Sequence, residues 1–168
     1  SALSWMEPFR PYLIGLAVIA IGYAWYAYLK PKKADDCCEV DAKPKWGKMN
    51  VEQMLAHCNV TYEMVYDNIH PKPNAFKRFM LKLIVKNIVV NDKPYKSNSQ
   101  TAPEFIIKDA RKFELEKQRL IDYLLKTQQL GAKYFDGKES LSFGVLNQQE
   151  WNNMFVKHLD HHLSQFGV

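Results

Sequence analysis

Five histidines are present, and three of them occupy positions where an imidazole is an unusual choice. His158 and His162 lie four residues apart within 147–166, a stretch whose apolar residues recur at helical spacing. At 3.6 residues per turn both rings point the same way, into a stripe shared with Trp151, Met154, Phe155, Leu159 and Phe166. Gln149, Asn153, Lys157, Asp160 and Ser164 fall on the opposite side. A buried imidazole must find partners for both ring nitrogens, and one divalent ion would satisfy two rings together. The competing reading is a pair of hydrogen-bonded core histidines. The residues between the pair are Leu159, Asp160 and His161, so the HExxH pattern of zinc proteases is absent. His161 lies at the edge of the stripe and is the weaker candidate.

Two histidines hold a metal weakly, and His57 is the best third donor. It shares an inward helical face with Met54, Cys58, Thr61 and Val65. First and last helices of a four-helix bundle are commonly neighbours, which would bring His57 towards His158 and His162. Three imidazoles leave further positions open for water or substrate, the arrangement of a catalytic rather than a structural site. Glu63 and Asp160 are candidate acceptors for the ligands' outer nitrogens.

The elements that must position these residues follow from capping and periodicity. Asn50 with Gln53 forms a capping box for a first helix ending near Ile69, ahead of His70-Pro71. A second helix with a strongly apolar face spans 76–90. Residues 91–103 are rich in Asn, Ser, Lys and Pro and read as a loop. Asp109 is expected to cap a third helix reaching about Gln129, with Phe113, Leu120, Leu124 and Gln128 turned inward. A loop over 131–143 follows, and Asn147 with Glu150 opens the histidine helix. Four helices without strand alternation predict an all-α antiparallel four-helix bundle over 46–168.

The first 45 residues have a different character. Nineteen residues, Pro11 to Leu29, carry no charge, which is about the length that crosses a hydrocarbon core of roughly 30 Å. Trp5 and Phe9 before the run, and Trp25, Tyr26 and Tyr28 near its end, fit interfacial anchors. Residues 1–30 therefore read as a membrane-spanning segment, and 31–45 as a polar linker. Lys30, Lys32 and Lys33 place the C-terminal side in the cytoplasm, so the bundle is expected at the cytoplasmic face of an inner membrane. Without that segment the bundle would be a cytoplasmic protein. The linker carries adjacent cysteines, Cys37 and Cys38; with Cys58 they make no disulfide framework.

The chain has 47% hydrophobic and 24% charged residues, the balance of a folded protein. A net charge of +5 permits an acidic partner, but the cations alternate with acids, as in Lys108-Asp109-Ala110-Arg111. No basic stripe with interleaved aromatics is present, so nucleic acid is not expected as a partner.

Several motifs also resemble known families. Trp46-Gly47-Lys48-Met49, Met54-Leu55-Ala56-His57-Cys58, Asn98-Ser99-Gln100-Thr101-Ala102-Pro103-Glu104-Phe105 and the segment from Lys157 to Gly167 resemble the DinB-like superfamily, over about 44–168. The resemblance implies a four-helix bundle, often a homodimer, holding a divalent ion such as zinc or nickel on His57, His158 and His162. Some members of that superfamily are thiol-dependent transferases or isomerases that use a low-molecular-weight thiol, so the resemblance implies a metal-dependent thiol transferase or a hydrolase. The segment from Trp5 to Gly15, with Ala24-Trp25 and Lys30-Pro31, resembles the mercuric transport protein MerT. That likeness implies mercuric ion, Hg(II), bound at Cys37 and Cys38, since thiolates favour soft ions. A bundle whose histidines are merely packed is the remaining alternative.

Overall fold

The computed structural model describes residues 42–167. The apolar run 11–29 and the pair Cys37-Cys38 lie outside the described residues. Among those described, no helix is long and apolar enough to cross a membrane.

Four helices carry the domain. Helix α1, Val51–Tyr66, starts on the expected capping box: the Gln53 amide donates to Asn50 Oδ1 at 2.8 Å and the Asn50 amide to Gln53 Oε1 at 3.2 Å. It stops a turn short of Ile69 because Asn68 turns left-handed at φ 53°. Helix α2 runs through Ala75–Met80, a wide i→i+5 turn at Leu81–Val85, and Lys86–Val90. Asn74 caps it, accepting from the Lys77 amide. Helix α4, Gln148–Phe166, starts on the second expected capping box and ends on Gly167, whose φ of 89° suits glycine.

Helix α3, Phe113–Phe135, departs from expectation at its start, while its regular part ends at Gly131, close to the expected Gln129. Asp109 does not cap it; its carboxylate pairs with Arg111, and the helix starts four residues later from Lys112. The intervening chain stays extended along α1, where the Ile107 carbonyl accepts from Gln53 Nε2 at 3.4 Å. At the other end Gly131 (φ 69°, ψ 166°) breaks the helix, which then makes one more turn to deliver Phe135 to the core. The expected loop over 131–143 thus contains a helical turn and part of a hairpin. Glu139–Ser140 (β1) pairs antiparallel with Gly144–Val145 (β2), so two short strands accompany a mostly helical fold. Trp151 Nε1–H fixes the hairpin by donating to the Lys138 carbonyl at 3.3 Å.

The core lies between α1, α3 and α4. Tyr62, 1% exposed, stacks on Phe155 of α4 at 5.2 Å and on Tyr123 of α3 at 5.7 Å. Each such aromatic pair contributes roughly 0.5–1.5 kcal/mol beyond its burial. Two sequence expectations fail here. Gln128 is exposed, and beside the expected Leu120 the helix buries Glu116, 2% exposed, which accepts from Asn59 and from Arg111 and Arg119. Lys157, assigned to the solvent side, is buried: its ammonium donates to the Ile88 and Asn91 carbonyls at 2.7 Å. It ends α2 by satisfying carbonyls that the helix itself leaves open.

Candidate metal centre

The three expected histidines converge. His57 on α1 brings Nε2 to 3.0 Å from His158 Nε2 on α4, although 101 residues separate them. The ring of His162 lies 4.5 Å from that of His57 and 4.8 Å from that of His158. One ligand atom from each lies within 4.8 Å of the others, the sole such three-residue group among the described residues.

What decides the chemistry is the outer side of each ring. His57 Nδ1–H donates to the Phe105 carbonyl at 2.8 Å. His162 Nδ1–H donates to Gln165 Oε1 at 2.8 Å, and the Gln165 amide is oriented by its own Nε2–H bond to the Trp46 carbonyl at 2.7 Å. His158 Nδ1 pairs with Thr61 Oγ1 at 3.0 Å. A carbonyl can only accept, so His57 and His162 carry their protons on Nδ1 and present bare lone pairs at Nε2. Two such nitrogens at 2.0–2.1 Å from a tetrahedral ion are about 3.3 Å apart. The observed 3.0 Å between the Nε2 atoms of His57 and His158 is close to that spacing; the Thr61 hydroxyl can donate to or accept from His158 Nδ1, so His158 can offer Nε2 as a lone pair or donate it to His57. Three imidazole nitrogens grouped in this way could hold a divalent ion.

Burial keeps the rings neutral. It holds His158 well below the usual imidazole range, and the neighbouring rings of His162 and His57 push the same way. It lowers His162 to about 3, reinforced by His57 and opposed by the Gln165 bond. For His57 burial again dominates, partly offset by the Phe105 carbonyl. Protons thus compete poorly for the nitrogens a metal would use.

Local sequence explains the support. Thr61 follows His57 by one turn and so shares the face of α1 turned to His158, while Gln165 follows His162 by three residues on its own helix. Gly47, at φ +80°, lets the chain pass over Gln165: a Cβ there would lie 2.7 Å from Gln165 Nε2. The 3-10 turn Pro103–Phe105 delivers the carbonyl to His57. Thr61 shares the inward face of α1 that the sequence predicts; Gln165 has only its three-residue spacing from His162 as a signal, and Phe105, 48 residues from His57, has none. The other two proposed outer acceptors do not serve: Asp160 is exposed, and Glu63 pairs with His70 and Arg119. His161 stands outside the group, between Trp46 and Tyr95, each 5.7 Å away.

Residues 38–167 match the family model described as "Protein of unknown function (DUF1569)". The chain belongs to the DUF1569 family. Comparison with curated proteins and with solved structures returns no match. The DUF1569 match takes in all three histidines together with Thr61, Phe105 and Gln165, whereas Cys37 precedes it. Of the two thiols within the DUF1569 match, Cys38 lies outside the described residues, and Cys58 is buried beside Met54, where burial raises its pKa.

Proposed function

We propose that the domain is a DinB-like antiparallel four-helix bundle that holds a divalent metal on His57, His158 and His162 and works as a metal-assisted, thiol-dependent transferase. The reading rests above all on three Nε2 atoms left to one centre because each Nδ1 is already engaged. Bound there, the ion would act as a Lewis acid and favour the deprotonated form of a thiol. The chain's part is to hold three neutral rings in fixed orientation and to keep protons off them. The apolar run 11–29 would tether this domain to a membrane, with the domain on the cytoplasmic side.

Metal analysis of the purified protein tests the centre. One equivalent of zinc or nickel is expected, lost on His158→Ala with His162→Ala. Unchanged metal content in that double variant would place the ion elsewhere. Transfer activity is then assayed with low-molecular-weight thiols, and dependence on both thiol and metal is the expected result.

A further inference from the structure

Helix α2 is apolar on both of its long sides. Leu81, Val85 and Val89 pack against the core, and Val90 is buried in it. On the outer side Phe76, Phe79, Leu83, Ile84 and Ile88 are between 57% and 76% exposed. The wide turn keeps that outer row continuous. Lys86 N–H bonds to the Leu81 carbonyl, five residues back, so Ile88 comes into line behind Leu83 where an ordinary α-helix would bring Asn87. Single exposed apolar residues are unremarkable on a surface, but a row along one helix marks an interaction face.

The charge around the row identifies the partner. Between 72 and 96 the chain has six lysines and one arginine against a single acid, Asp92. Glu104, Glu139 and Glu150 pair with Lys77, with Arg78 and Lys72, and with Lys86, which still leaves seven cations against four carboxylates. Lys82 and Lys77 are exposed directly beside the apolar row. A second copy meeting this face about a two-fold axis would lay α2 on α2 and bring like charges together. An apolar row bordered by cations instead matches the boundary between anionic headgroups and acyl chains.

We infer that the outer face of α2 docks on an anionic lipid surface, with Phe76, Phe79, Leu83, Ile84 and Ile88 at the acyl boundary and the flanking lysines against lipid phosphates. The proposal needs neither the metal nor a spanning segment. A tether at 11–29 would bring the domain to a vesicle in any case, but would not decide whether α2 touches lipid.

A nitroxide label reports that contact. In the full chain with Cys37→Ser and Cys38→Ser, the label is attached at Leu83→Cys or Ile84→Cys, with Leu125→Cys on α3 as an equally exposed apolar control. Unchanged circular dichroism and an unlabelled Cys58 verify the fold. The readout is accessibility to oxygen against a water-soluble nickel chelate, on phosphatidylcholine vesicles with and without phosphatidylglycerol. At 83 and 84 a severalfold rise in the oxygen-to-nickel ratio is expected with phosphatidylglycerol, a smaller one without it, and none at 125. Nickel accessibility at 83 and 84 on both vesicles overturns the proposal. So does spin–spin broadening, which makes α2 a self-association face, or shielding from both reagents, which means protein covers the row. An equal rise on neutral vesicles, or at 125, overturns the role of the lysines or of α2.

Discussion

Replacing Gln165 by leucine removes a hydrogen-bond relay while keeping volume and burial close to the original. The residue is 3% exposed; its carbonyl oxygen accepts from His162 and its amide donates to Trp46. Leucine leaves the His162 Nδ1–H in a dry site without an acceptor, a loss of roughly 1–3 kcal/mol of stability. Trp46 is half-buried, so water can replace its lost donor at little cost. The effect on metal is separate. A ligand that loses the partner fixing its tautomer and orientation typically weakens binding about 10–100-fold, or roughly 1.4–2.7 kcal/mol. Gln165→Glu retains an acceptor for His162 and should preserve affinity within a few-fold despite losing the donor to Trp46. Competition titration with a chromophoric chelator measures affinity, and urea denaturation of the metal-free protein measures stability. If Gln165→Leu lowers stability but binds metal as tightly as the parent, Gln165 is a packing residue and the relay is wrong.

Other consequences are independent of this pair. Zinc at about 100 times its dissociation constant should add about 2.7 kcal/mol, raising the midpoint of a domain of this size by roughly 10 °C; no shift, or one that persists in His57→Ala, would contradict the site. Metal-free protein should lose stability as pH falls, because an unfolded imidazole protonates near 6.5 and His162 in the native state only at about 3. Between those values the unfolded chain takes up the proton first, so by pH 5 His162 alone removes about 2 kcal/mol; stability flat from pH 7 to 5 would show that the rings charge freely in place. Cys58 should resist alkylation in native protein and react only on unfolding, since burial raises its pKa; rapid native labelling would mean that the core opens there. Lys157→Met should lower stability by about 1–3 kcal/mol by freeing the carbonyls that end α2, and urea midpoints equal to the parent would show that water substitutes for the ammonium.

The histidine cluster was largely legible in the sequence because helical periodicity is a local rule. His158 and His162 share a face by spacing alone, His57 sits among apolar neighbours, and both capping boxes formed where Asn50 and Asn147 predicted them. What stayed hidden depends on distant partners. Asp109 has the composition of a cap, but Arg111 claims it while the chain beside it stays extended along α1. Glu116 reads as a surface residue until Asn59, Arg111 and Arg119 surround it, and Lys157 until the end of α2 arrives over it. The hairpin escaped because strands of two residues have no periodicity to detect. Burying a charge depends on tertiary partners, so no window of sequence contains the information.

The clamp on Gln165 also has a mechanical meaning. Two bonds tie the start of the described chain to the end of the last helix: Lys45 N–H to the Gln165 backbone carbonyl at 2.7 Å, and Gln165 Nε2–H to the Trp46 carbonyl. Both converge on the residue that orients His162. Tension applied through the chain N-terminal to Lys45 therefore loads these bonds before it reaches α1. The first element to yield under such a pull is the support of His162, so force on the N-terminal segment would be transmitted to the histidine cluster while the hydrophobic core is still intact.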